Sequence, residues 1–117
     1  MWCYILFIYI KVLKSKIHRA TVTGNNLHYE GSIGIDKNLL NDAGLVPGEQ
    51  VHVLSETTGE RLVTYIIEEP KNSNSIIING PAAHKIQTGE IVIILSYCDI
   101  HIDELTKHTP VIVHLDK

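Results

Sequence analysis

The sequence predicts a mainly β protein folded as a small barrel, and three observations carry that expectation. Among its 117 residues, 18 Ile, 9 Val and 8 Thr are β-branched, whereas Ala occurs only four times. Branched side chains lose rotamer freedom in a helix and pack well on a pleated sheet, so strands should dominate. Turn-forming Gly, Pro and Asn recur at the spacing of about eight to twelve residues that marks a chain of short strands. An open sheet of such strands would leave costly unpaired edges, so closure is expected.

Taken in order, Met1 to Tyr9 (MWCYILFIY) is a continuous apolar run, well short of the roughly 20 residues that a membrane helix needs. A signal peptide carries positive charge ahead of its apolar stretch, whereas Lys11, Lys14 and Lys16 follow this one. The run is read as an N-terminal extension, an edge strand or a tail. Ile17, Arg19, Thr21 and Thr23 alternate with His18, Ala20 and Val22 as a strand does. Gly24-Asn25-Asn26 reads as a turn, with a short strand through Leu27 and Tyr29 leading to Glu30-Gly31-Ser32. Ile33-Gly34-Ile35 resumes extended structure, and the glycine interruption is a candidate bulge or strained turn.

Asp36 stands where an N-cap belongs, Leu39, Leu40 and Ala43 share a helical face, and Gly44 is a stop, so residues 36–44 are the best helix. Val51 to Ser55 and Arg61 to Glu68, joined at Thr57-Thr58-Gly59, read as a hairpin. Ser75 to Ile78 reads as a buried strand that ends at Asn79-Gly80-Pro81, where Pro81 suits the first position of a single helical turn. Glu90 to Tyr97 is the most hydrophobic strand, and residues 99–117 add a helical or turn segment and a last strand at Val111 to Leu115. The length suits one domain, 1–117.

Charge and composition exclude several functions. Ten Lys and Arg against thirteen Asp and Glu leave a formal charge of −3 with two arginines and no basic run, the opposite of a nucleic-acid footprint. Cys3 and Cys98 lack CxxC spacing, which suits a reducing cytoplasm. The seven histidines offer no HxH or HxxxH pair, so no metal site is expected. There is no GxSxG elbow, GxGxxG loop or Walker pattern. Gly31-Ser32 alone is an ordinary turn dipeptide, and Arg61 and Tyr65 alone are ordinary strand residues.

Together, Lys16-Ile17-His18-Arg19, His28-Tyr29-Glu30-Gly31-Ser32, Gly59-Glu60-Arg61 with Thr64-Tyr65, and Asn79-Gly80-Pro81-Ala82-Ala83 resemble the pyruvoyl-dependent aspartate 1-decarboxylases. The likeness is collinear over roughly residues 10–100. It differs in Pro81, where Ala is common, and in the extra residues 1–7.

The resemblance implies a double-psi β-barrel proenzyme that cuts itself between Gly31 and Ser32, giving chains 1–31 and 32–117. The Ser32 hydroxyl would attack the Gly31 carbonyl, with Thr64 bonding that carbonyl, and elimination and hydrolysis would leave a pyruvoyl cofactor at position 32. That group would form a Schiff base with L-aspartate and release CO2 to give β-alanine, a precursor of pantothenate and coenzyme A. Arg61 and Lys16 would take the two substrate carboxylates, and Tyr65 would protonate the carbanion. His18, Tyr29, Asn79, Gly80, Ala82 and Ala83 would complete the pocket.

A cytoplasmic homotetramer with sites between subunits is implied, with no nucleic acid or membrane as partner. Spontaneous maturation and maturation by an accessory factor are both compatible with the sequence. Two other readings stay open: a barrel that never matures and acts as a binding or structural module, and a decarboxylase for glutamate, since an Arg-Lys clamp recognises carboxylates rather than chain length.

Overall fold

A computed structural model describes residues 7–115, so most of the apolar N-terminal run lies outside the described residues. Eight strands alternate with little helix: β1 (Tyr9–Thr21), β2 (Gly24–Asn26), β3 (Ser32–Asp36), α1 (Lys37–Ala43), β4 (Gln50–Ser55), β5 (Arg61–Glu69), β6 (Ile76–Asn79), β7 (Ile91–His101) and β8 (Val111–His114). Two 3₁₀ turns, Gly80–His84 and Ile102–Lys107, precede β7 and β8 respectively. The mainly β class expected from the Ile, Val and Thr content stands.

The strand order is β2-β6-β3-β5-β4-β7-β1-β8. Only Val22 and Thr23 separate β1 from β2, near opposite ends of that order. Val22 N–H donates to Glu90 ahead of β7, and Thr23 N–H donates to Ile76 of β6, at 2.9 and 2.8 Å. These bonds tie the β1 side of the order to the β6 side and curl the sheet round on itself, so that β2 and β8 are left as its short outer strands. One apolar cluster fills the interior, with Ile17, Ile33, Ile35, Val51, Val53, Ile66, Ile78, Val92 and Ile94 fully buried or nearly so.

Alternation sorts each strand into two faces. On β1, Ser15 and Ile17 are buried while Lys16 between them is not. Two bulges interrupt its pairing with β7, at Lys14 and at His18-Arg19. Arg19 sits at the second with φ 66°. A bulge bends the strand and re-aims its side chains, here at two motif residues.

The helix forms as its caps dictate. The Asp36 carboxylate accepts the Asn38 N–H at 2.8 Å, and Gly44 closes α1 in the left-handed conformation at φ 69°. Asp36, only 4% exposed, also accepts from the Asn72 and Asn74 N–H groups at 3.2 and 2.8 Å. Burial works to raise the pKa of this carboxyl, and the backbone donors of Asn38, Asn74 and Asn72 outweigh it and hold the pKa below its ordinary 3.8.

Two local expectations are corrected. Gly24-Asn25-Asn26 is not a turn but strand β2, because it pairs in parallel with Ile77, Ile78 and Asn79. Leu27 to Tyr29 is not a strand but the turn, with Tyr29 N–H donating to the Asn26 carbonyl at 3.3 Å. The β4–β5 hairpin stands, in the register Leu54 opposite Arg61 and His52 opposite Val63.

Candidate active site

The site begins where β3 begins. Strands β3 and β5 run parallel with Ile33 beside Ile66, so the first half of β5 passes the start of β3 and lacks a neighbour on that side. A cavity of about 400 Å³ occupies the gap, lined by Gly31, Leu62, Val63, Thr64, Tyr65, Pro81, Ala82 and Lys85.

Ser32, the first residue of β3, is completely buried. Antiparallel pairing sets Asn79 of β6 opposite Ser32, which puts their side chains on one face. Asn79 Nδ2 donates to Ser32 Oγ at 3.0 Å, and Ser32 Oγ donates to the Glu30 carbonyl, also at 3.0 Å. The hydroxyl is thus both oriented and satisfied, as a buried polar group must be. On its N-terminal side Gly31 is exposed and belongs to the loop that enters the cavity wall.

Gly80 explains how the loop comes so close. Its φ is +75°, and a Cβ there would lie 2.7 Å from Gly31 Cα, 2.8 Å from Gly31 N and 3.0 Å from the Tyr29 carbonyl oxygen. Only glycine combines that conformation with that approach. The backbone of residues 29–31 consequently rests on the turn after Asn79.

Gly31, Ser32, Thr64, Tyr65, Asn79, Gly80 and Ala82 are therefore brought together around one peptide bond. Tyr65 is about 39% exposed and lines the cavity. Tyr29 is exposed on the same loop, whereas Ala83 is buried in the core beneath the 3₁₀ turn.

Lys16, His18 and Arg61 stand apart from this cluster. Lys16 lies two strands beyond β4, paired with Leu95 of β7 and Ile112 of β8. His18 lies at the β1 bulge with its ring edge-on to His114, centroids 5.4 Å apart. Arg61 opens β5, four residues before Tyr65, a distance of roughly 13 Å along a strand.

Sequence reading missed His52, whose Nδ1 lies 3.1 Å from Arg61 Nη2. The hairpin register offered a signal for it, since the residue opposite Val63 is diagonal to Arg61. It also missed Lys85, a cation in the cavity wall whose only described ion pair is a 3.7 Å contact with Glu60. No local pattern points to Lys85.

No helix among the described residues is long and apolar enough to cross a membrane.

Comparison with known proteins places this geometry. A family profile described as aspartate decarboxylase matches residues 8–117. The aspartate 1-decarboxylase of Leptothrix cholodnii is 47% identical over 106 residues, which cover 91% of this chain and 81% of the relative. That of Clostridium botulinum strain 657 is 49% identical over 107 residues, covering 92% and 84%. Among solved structures, the rationally designed mkDPBB_sym_86 protein aligns at a TM-score of 0.49 and 14% identity, over 66% of this chain and 90% of the design. With a profile match over almost its whole length and relatives near half identical, this chain belongs to the aspartate decarboxylase family.

Proposed function

We propose that this protein is a carboxy-lyase that converts L-aspartate to β-alanine and CO2 through a pyruvoyl group made from its own Ser32. Membership of the family supports the reaction. The observation that carries the site is Ser32 itself, buried without exposure, with its Oγ held between Asn79 and the Glu30 carbonyl beside a cavity. The surroundings suit such a group: position 32 is shielded from water, and the Gly80 turn leaves no room for anything larger than glycine.

The bond to be cut joins an exposed loop residue, Gly31, to a buried strand residue, Ser32. Attack of Ser32 Oγ on the Gly31 carbonyl carbon exchanges an amide for an ester; the negative charge develops on the Gly31 carbonyl oxygen, while the Asn79 amide, donating to Ser32 Oγ, holds the attacking hydroxyl in place. Thr64, in the wall beside Gly31, would donate to the Gly31 carbonyl. After cleavage the pairing of β3 with β6 keeps position 32 in place while the loop end is free to leave the cavity.

The pyruvoyl group supplies the electron sink for loss of CO2. The chain's own side chains recognise and protonate. Arg61 gives a planar fork for one carboxylate, Lys16 a second cation for the other, and Tyr65 in the cavity wall delivers the proton to the product carbon. His18, Tyr29, Asn79, Gly80, Ala82 and Ala83 shape the rest of the pocket. Arg61, Lys16 and His18 stand outside the cavity of a single chain, which supports a homotetramer whose neighbouring copies complete each site. Such an enzyme works in the cytoplasm, where β-alanine feeds pantothenate and coenzyme A synthesis, and an accessory factor can assist its maturation.

Intact mass after warm incubation, with and without a carbonyl-trapping reagent, tests the reading. Fragments of 31 and 86 residues, the latter from 117 minus 31, are expected, with a trappable carbonyl on the larger. A chain that stays whole, even when coexpressed with a maturation factor, would leave a barrel that binds but does not catalyse.

A further inference from the structure

We infer that His52 is a positioning residue that sets the Arg61 guanidinium for carboxylate recognition. The inference rests on the reading of Arg61 as the substrate clamp and adds a residue to it. Arg61 has five N–H donors and no acceptor. One of them, on Nη2, points at His52 Nδ1 over 3.1 Å. For that contact to be a hydrogen bond, the ring must be neutral with its proton on Nε2, because arginine can only donate.

His52 is itself held. It lies on the outward face of β4, opposite Val63 of β5 and Leu95 of β7. Tyr97 of β7 meets its ring edge-on, with centroids 5.2 Å apart and planes at 70°. A small cleft of about 220 Å³ beside it is lined by Lys11, Glu49, Gln50, His52 and Tyr97. The charged and titratable groups facing His52 are therefore Arg61 from β5, Tyr97 from β7, Lys11 from β1, and Glu49 just ahead of β4.

The consequence for Arg61 is geometric. A free arginine at a strand start samples many rotamers and loses that freedom on binding. The contact with His52 fixes the plane of the guanidinium beforehand and uses one donor, which leaves the rest of the fork for a carboxylate. Because β4 and β5 form one hairpin, the pair is built from a single local element, and its register places it.

The test compares His52→Leu, His52→Asn and Arg61→Ala in the full-length protein. Two readouts are used: KM and kcat for aspartate in the matured protein, and the dissociation constant of succinate by calorimetry, which needs no catalysis. His52→Leu is expected to raise KM and weaken succinate together by roughly three- to tenfold, the worth of one hydrogen bond, with a larger effect on KM than on kcat. His52→Asn, whose side-chain oxygen offers an acceptor near the Nδ1 position, is expected to restore both.

In an Arg61→Ala background His52→Leu should weaken succinate no further. Unchanged succinate binding in His52→Leu, or an Asn variant as impaired as Leu, would overturn the inference while leaving the clamp intact. Normal succinate binding by Arg61→Ala would instead overturn the clamp.

Discussion

Gly80→Ala attacks the closest backbone approach in the candidate site. The residue sits at φ +75°, a conformation that costs an L-residue roughly 1–2 kcal/mol. The added Cβ would stand 2.7 Å from Gly31 Cα and 2.8 Å from Gly31 N. Both are backbone atoms, so no rotamer change relieves the clash. Restoring ordinary contact at 3.4 Å requires the loop of residues 29–31 to move by about 0.7 Å. That movement stretches the 3.0 Å bond from Ser32 Oγ to the Glu30 carbonyl, worth about 1 kcal/mol.

The sum is about 2–3 kcal/mol. At roughly 3–5 °C per kcal/mol for a domain of this size, Tm falls by about 10 °C. Self-cleavage slows by at least about tenfold, since a misalignment worth 1.4 kcal/mol in the barrier is enough for that. The assays are a thermal melt at fixed protein concentration and a time course of the 31-residue fragment by intact mass. Gly80→Asn separates the two causes: asparagine tolerates a positive φ better than alanine does, yet carries the same Cβ. A Gly80→Ala protein that melts with the parent and cuts at the parental rate would refute the argument.

Removing the donor to Ser32 tests the other support of that residue. Asn79→Ala leaves a buried hydroxyl with one partner fewer, and should cost about 1–3 kcal/mol in a urea melt and slow fragment formation; cleavage at the parental rate would show that the contact has no part in maturation. Asp36 gives a pH prediction with a fixed sign. Its folded pKa lies below 3.8, so its contribution is complete above the unfolded pKa and is lost as pH falls below about 4 through the folded value. Urea midpoints measured from pH 6 downward should therefore decline less steeply in Asp36→Asn than in the parent, and parallel curves would remove Asp36 from the account. Competition between aspartate and glutamate for the matured protein decides chain length, with aspartate expected to be preferred.

Much of the fold was legible because its causes are local. The N-cap at Asp36 and the stop at Gly44 define α1 within nine residues, and Thr57-Thr58-Gly59 announces the β4–β5 hairpin. What failed was non-local. Gly24-Asn25-Asn26 carries turn residues and becomes a strand only because β6, some fifty positions away, offers it a parallel ladder. The apolar run from Met1 to Tyr9 reads as either an edge strand or a tail, and only the pairing of Tyr9 to Leu13 with β7 from His101 back to Tyr97 shows that its end enters the sheet. The motif residues could be found from the combination they form, but not their arrangement. That Asn79 faces Ser32 follows from antiparallel register, and that Lys85 joins Tyr65 in one wall follows from the shape of the gap beside β5.

The same register argument bears on why one chain holds the parts of the site apart. Val63, His52, Leu95 and Lys16 form a continuous row across β5, β4, β7 and β1. Residues paired directly across strands share a face, and Ser15 and Ile17, the buried neighbours of Lys16, assign that row to the outside. Arg61 and Tyr65 are each two positions from Val63 and so belong to the same outer face, and so does Ser32, which alternates on β3 with the core residues Ile33 and Ile35. The cations and the bond they are meant to serve therefore share a face but not a place on it, because Lys16 stands three strands from Val63 along that row, about 14 Å away at the ordinary spacing of strands. If Lys16, Arg61 and Ser32 act on one substrate, the outer face of one copy must cover the cavity of another. A protein that turns over aspartate as a strict monomer would therefore contradict the assignment of Lys16 as the second cation, whatever its fold.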